Sequence, residues 1–361
     1  MKAAAIISEY NPFHRGHEYL ISRIREAIGK DCVIISVMSG NYVQRGDFAI
    51  MPKHSRALSA LACPDHDGPD LVLELPVCYS LSSAEGFAKG AMEIVNACGI
   101  VTHLAFGSEA GDVSQLQDIA HALMDSEFPA ALKARLKEGI SYAKARHMAL
   151  EDILGRPIPQ LEGANNILGI EYLKALINMN SDIIPITVKR KGAEHDGQSD
   201  ASFPSAKQLR ELIYGTGEFG ISMMPIRSMN ILIQEMAHGK APASVANCEK
   251  AILARLRCLS DEEFMAIDSS SEGLWRRFAD ACRTEDSVEG IISAVKTKRY
   301  ARSRITRMIM RAYIGAPAEP LPSPAYIRVL AFNAKGRSAL KAMKKSASLP
   351  IITKPAHAQK L

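Results

Sequence analysis

The chain has 361 residues, 47% of them hydrophobic and 23% charged, a composition that excludes a disordered chain and gives enough length for two domains with separate cores. No apolar run approaches the ~18 residues of a membrane span, and the seven scattered cysteines lack any CxxC pair, which argues against a disulfide framework or zinc site and for a reducing cytoplasm. The net charge of +5 is unevenly spread: residues 290–361 hold 15 Lys and Arg against Glu319 alone, while the other 289 residues hold 29 bases against 38 acids. An acidic body with a basic end suggests a polyanionic partner there.

In chain order, the N-terminal MKAAAIISEYNP reads as a first core strand rather than a signal peptide. Short apolar runs at 3–8, 32–39, 70–76 and 101–107 have the near-continuous hydrophobicity of strands buried on both faces. Between them lie amphipathic helices. One face is marked by Leu20, Ile21, Ile24, Ala27 and Ile28 before Gly29, another by Phe87, Ala91, Ile94 and Val95 before Gly99. The alternation predicts an α/β fold with a doubly wound parallel sheet. Residues 113–178 read as mainly helical, 182–190 as one more strand, 192–204 as a polar loop, and Ser205 as the start of a helix with Leu209, Leu212 and Ile213 on its face. From about 220 the pattern is helical through residue 315, and a proline-rich break at 316–325 precedes a short βα-like tail. The expected division is 1–217, the α/β domain, and 218–361, a mainly helical basic domain that follows it.

The segment SEYNPFHRGHEYL (8–20) falls where the first strand meets the first helix, at the carboxyl edge of the sheet, the usual ligand crevice of open α/β folds. His14 and His17 stand at HxGH spacing with Gly16 between them. Both imidazoles can point into one pocket beside a helix N-terminus, whose free N–H groups and dipole favour phosphate. There they can donate to the charge that builds up at an α-phosphate during displacement. The competing structural reading makes His14 a loop residue and His17 a helix cap. GNYVQRGDF (40–48) follows the second strand as another crevice loop, in which Tyr42, Gln44 and Arg45 can orient a substrate, and Ser83–Glu85 can line the site or start a helix.

The HxGH turn resembles that of the adenylyl- and nucleotidyl-transferase superfamily. With VMSGNYVQRGDFAI (37–50), DLVLELP (70–76), SAEGFAKGA (83–91), FGSE (106–109), NNILGIEYLKAL (165–176) and KRYARSRITR (298–307), the chain resembles the tRNA(Met) cytidine acetate ligase family over most of its length. The resemblance implies ATP bound along Ile7, Ser8, Glu9, Tyr10, Asn11, Pro12, Phe13, His14, Arg15, Gly16, His17, Glu18, Tyr19 and Leu20. Gly107, Asn165 or Asn166, and the Arg190–Lys191 pair complete that site. PSAKQLRELI (204–213) resembles the Ser/Thr-rich segment that closes such sites and adds Ser205 and Arg210, although Lys207 replaces the usual threonine. Ser205 is equally a good helix cap.

In KTKRYARSRITRMIMR (296–311), Arg304, Arg307 and Arg311 form one helical stripe beside Lys298, Arg299 and Arg302, with Tyr300 available to stack. Such a pattern suits a tRNA backbone and an unpaired base. The expected activity is ATP-dependent activation of acetate as acetyl-adenylate, then acetyl transfer to cytidine. By resemblance the target is the N4 amine of the wobble cytidine of elongator methionine tRNA. Mg²⁺ is expected with the triphosphate, although no carboxylate cage for it is visible. No protein nucleophile is needed, since the mixed anhydride is already activated. Two alternatives are a nucleotidyltransferase acting on a small phosphorylated substrate and a non-catalytic RNA-binding protein.

Overall fold

A computed structural model describes residues 1–190, 205–215, 223–267, 273–318 and 320–360. Its main sheet contains β1 (Ala3–Ser8), β2 (Val33–Ser39), β5 (Leu71–Leu75), β6 (His103–Ser108), β7 (Ile184–Lys189), β8 (Ile327–Phe332) and β9 (Ile351–Ile352), while β3 (Tyr42–Val43) and β4 (Asp47–Phe48) form a small separate hairpin. The order across the sheet is β7-β6-β1-β2-β5-β8-β9. The first five of these run parallel, with Ala3 opposite Val33 and Leu71 opposite Ile35. Strand order therefore reverses between β1 and β6, and a crevice opens beyond their carboxyl ends.

All five expected strands are present; β1, β2, β5 and β6 are largely buried on both faces, whereas β7 is only partly covered. Ala3, Ala4 and Ala5 are fully buried, as are Ile34, Ile35, Val37 and Leu71 through Leu73. β7 is the outer strand, where Pro185 costs no ladder hydrogen bond that a central strand would need. One face carries α1 (Arg15–Ile28) and α2 (Lys53–Ala60); the other carries α3 (Val77–Ser80), α4 (Ala84–Ala97), α5 (Val113–Met124), α6 (Phe128–Leu136), α7 (Tyr142–Leu154) and α8 (Ala164–Asn178). On α1 the buried residues are Ile21, Ile24 and Ile28; Ala27, expected on that face, is exposed.

Beyond α9 (Ala206–Gly215), the helices α10 (Ile226–Ala237), α11 (Val245–Arg257), α12 (Asp261–Ile267), α13 (Leu274–Thr284), α14 (Val288–Val295) and α15 (Arg302–Ile314) follow. From α11 to α15 they enclose a second core around Leu256, Phe264, Phe278, Ile291 and Ile305. The tail then leaves the helices and completes the sheet. β8 pairs antiparallel with β5, and α16 (Ala334–Ser346) begins where Asn333 donates to buried Asp70 at 2.9 Å. Just after α16, the Ser348 N–H reaches Ala97 O at 3.0 Å. Both ends of α16 thus lie at the amino edge of the parallel strands, opposite the crevice. No described helix is long and apolar enough to cross a membrane. The expected loop 192–204 lies outside the described residues.

Candidate active site

A cavity of about 270 Å³ occupies the crevice at the strand-order reversal. Its floor is the end of β1 and the turn after it, where Tyr10 takes a left-handed φ of 43°. His14 caps α1: its Nδ1 accepts the Gly16 N–H at 3.0 Å, and the His17 Nδ1 accepts the His14 N–H at 3.2 Å. The pair is a capping box built from imidazoles in place of the usual Ser and Glu. Gly16 is required for it, because a Cβ there would lie 2.9 Å from His14 Cε1. The two rings are 3.8 Å apart, and His17 stacks on Phe13 at 5.5 Å with Tyr10 at its edge.

This geometry fixes both tautomers. Each Nδ1 is an acceptor, so each proton resides on Nε2. Burial first, then Arg190 and Arg210, push His14 down to about 3. Burial, His14 and Arg190 hold His17 well below the imidazole range. The pair is neutral at physiological pH and presents two Nε2–H donors. The cap and pocket readings of these histidines are therefore compatible.

Of the turn segment, Ile7 through Asn11, His14, Gly16, His17, Tyr19 and Leu20 line the cavity. Pro12, Phe13, Arg15 and Glu18 do not: Phe13 is fully buried beneath the rings, and Arg15 pairs with Glu18 at 2.6 Å. On the opposite wall stand Gly107, Lys189, Arg190 and Asn165. A Cβ at Gly107 would meet nothing closer than Arg190 Cγ at 3.4 Å, so protein packing alone does not demand glycine there. Asn165 and Asn166 separate clearly. Asn165 faces the cavity, while Asn166 is buried and accepts the Ala110 N–H at 3.1 Å. Glu109 organises this end of α8 by accepting from Asn165 Nδ2 at 2.7 Å and from the Asn166 N–H at 2.8 Å. Burial raises its carboxyl, but these hydrogen bonds outweigh that and leave it below the usual range.

Ser205 accepts the Gln208 N–H at 3.2 Å as a helix cap, and Arg210 donates to Asn11 O at 2.8 Å; neither lines the cavity, although neighbouring Ala206 does. Lys191 lies outside the described residues. Ser83 caps α4 through the Gly86 N–H at 3.1 Å. A largely apolar wall of Phe87, Phe106, Leu168 and Tyr172 escaped the sequence reading as a site feature. Its available signal was the i, i+3, i+7 spacing of Asn165, Leu168 and Tyr172 on one face of α8.

Arg56 was also missed. Fully buried on α2, it donates to the carbonyls of Glu9, Ser39, Gly40 and Met51 and so ties the carboxyl ends of β1 and β2 together. Burial lowers its guanidinium to about 10, which keeps it charged at neutral pH.

The crevice loop joins the cavity to the basic helix. Gln44 and Arg45 line the cavity, and the Gln44 N–H donates to Glu9 Oε1 at 2.7 Å. Thr306 on α15 donates to Arg45 O, and Gly46, at φ 78°, packs so closely on Thr306 and Arg307 that a Cβ would lie 2.4 Å from Arg307 N. Tyr42 instead packs on Phe48 at 5.3 Å. Of the basic residues, Lys298, Arg299 and Arg302 are exposed, Arg304 and Arg307 half-buried, and Arg311 buried. Arg302 makes a two-pronged pair with Glu289 at 2.5 and 2.6 Å, and Arg304 lies over the Tyr300 ring at 5.3 Å.

A Rossmann-like sheet with this histidine turn defines the class. The family model described as HIGH Nucleotidyl Transferase matches residues 1–361, and the chain belongs to that family. More particularly, it is similar to proteins named tRNA(Met) cytidine acetate ligase. That of Acetivibrio thermocellus is 37% identical over 98% of this chain and 88% of the relative; that of Caldicellulosiruptor saccharolyticus is 40% identical over 95% and 85%. A crystal structure of Thermotoga maritima TmcAL bound with alpha-thio ATP matches with a TM-score of 0.90 at 36% identity, covering 100% of this chain and 87% of that one.

Proposed function

We propose that the chain is an ATP-dependent ligase that acetylates the N4 amine of a cytidine in tRNA. The observation that carries this reading is the neutral His14–His17 pair at the start of α1, with both Nε2–H donors available beside a helix N-terminus. The relatives' shared name supports the acetate and tRNA parts, and the TmcAL complex supports ATP. The family resemblance supplies the wobble cytidine of elongator methionine tRNA as target.

In the first step an acetate oxygen attacks the α-phosphorus and pyrophosphate leaves. His14 and His17 donate to the oxygens that gain charge, while Lys189, Arg190 and Arg45 neutralise the phosphates. In the second step the cytidine amine attacks the acetyl carbonyl and AMP leaves. Mg²⁺ would enter as a companion of the triphosphate. Residues 1–217 hold the nucleotide; the helical part of 218–361 presents Lys298, Arg299, Arg302, Arg304 and Arg307 to tRNA, while β8 and β9 complete the catalytic sheet. A tRNA substrate puts this work in the cytoplasm.

The test is pyrophosphate release from ATP with acetate, with and without bulk tRNA. His14→Ala and His17→Ala should each lower it by ~10²–10³ while the fold survives, since one transition-state donor is lost. Release at the unmutated rate by both variants would overturn the assignment. Faster ATP use with a phosphorylated alcohol than with acetate would favour a small-molecule nucleotidyltransferase.

A further inference from the structure

We propose that Glu9 is the catalytic base of the second step, its carboxylate taking the proton that the cytidine N4 amine loses on acetylation. The inference rests on the ligase reading above. Among the described residues that line the cavity, Glu9 is the only acid, in the company of Arg45, Lys189 and Arg190. A carboxylate is misplaced there for acetate or a polyphosphate, both of which it repels. It suits an amine donor, the edge by which acidic side chains meet cytosine.

The histidines cannot serve instead. Both Nδ1 atoms already accept helix N–H groups, so both exposed nitrogens carry protons. Glu9 is held in place for the task. Its backbone carbonyl accepts from Arg56 and its Oε1 from the Gln44 N–H at 2.7 Å, while Oε2 has no hydrogen bond among the described residues. Its position faces the RNA side as well, because the hairpin that touches Glu9 rests through Arg45 and Gly46 on Thr306 and Arg307 of α15. A nucleoside arriving along that helix meets Glu9 at the cavity wall.

The step balances. The N4 lone pair forms the bond to the acetyl carbon, the bond from that carbon to the adenylate oxygen breaks, and AMP departs with the electron pair. The N4 proton passes to Glu9 Oε2 and later to water.

The experiment preforms enzyme-bound acetyl-adenylate from ATP and acetate, then adds either tRNA or hydroxylamine in a single turnover. Hydroxylamine traps the acetyl group without a protein base. In Glu9→Gln, which retains an acceptor for the Gln44 N–H, transfer to tRNA should fall by ~10²–10⁴. Hydroxamate formation should suffer at least about a hundredfold less than that transfer, and Glu9→Asp should recover part of the loss. Acetylation of tRNA by Glu9→Gln within about threefold of the unmutated rate would overturn the proposal. So would equal loss of both reactions with a raised KM for ATP, which would assign Glu9 to the adenine amine. If Glu9→Gln does not fold, Glu9→Asp decides: its shortened reach must slow tRNA transfer more than trapping, and equal effects reject the base. Failure of the unmutated protein to give any hydroxamate would instead remove the ligase reading, independently of Glu9.

Discussion

His14 and His17 carry two burdens at once, ending a helix and facing a substrate, and the first makes them costly to charge. His14 is driven down to about 3 by burial and by Arg190 and Arg210, and His17 moves in the same direction. An unfolded histidine titrates near 6.5, so below that pH the unfolded chain takes up protons that the folded one refuses. The stabilisation is complete above that pH and drains away as pH falls toward 3. Between pH 7 and pH 5, urea unfolding should show the unmutated protein losing about 2 kcal/mol more than His14→Asn, which can still cap the helix. Equal losses would mean that His14 is not held neutral. The spacing of the two histidines was legible in the sequence, but their reciprocal caps were not. Ser, Thr, Asp and Glu are the residues expected in such a box, and only the backbone geometry reveals imidazoles in their place.

At the level of elements, the mouth of the site depends on where strands end, and Arg56 sets that for two of them. A buried cation with four carbonyl partners and no direct carboxylate pair is stable only while all four are met. Arg56→Met should cost about 3 kcal/mol or more by denaturant unfolding, since charged hydrogen bonds are lost and buried acceptors stranded. A variant as stable as the parent would show that water can replace the guanidinium. The parallel strands themselves were readable because double burial imposes unbroken apolar runs. The partner of β8 was not, since pairing with β5 across roughly 250 residues leaves no local periodicity. Nor could the sequence choose between Asn165 and Asn166. Both open the same helix, and Glu109, which binds them both, comes from the end of β6.

For the whole molecule, the basic end does not form one surface. Of its 15 cations, seven lie between Lys296 and Arg311 on and before α15, and eight between Arg328 and Lys360 on the tail. The first group adjoins the hairpin at the cavity, whereas α16 lies at the opposite edge of the sheet. Arg302→Ala, Arg304→Ala and Arg307→Ala combined should therefore weaken tRNA binding and flatten its dependence on log salt by ~0.7–0.9 for each phosphate that is no longer neutralised. Replacing Lys341, Lys344 and Lys345 should change that slope less. Filter-binding titrations over a range of salt decide between them, and the reverse ranking would place tRNA at the amino edge. The net charge of the segment was legible; its division between two ends of the sheet follows from the tail folding back.

That fold-back also sets a schedule for synthesis. β5 emerges from the ribosome early, yet the strand that covers its open edge arrives roughly 250 residues later, on the order of ten to fifty seconds at ordinary elongation rates. Throughout that interval Leu71–Leu75 offers unpaired backbone beside apolar side chains, a template for pairing with another nascent chain. A product ending at residue 318 should accordingly sediment with aggregates, and supplying residues 320–360 in trans should return part of it to the supernatant. If the shortened chain stays dispersed and monomeric by gel filtration, some other segment guards the edge.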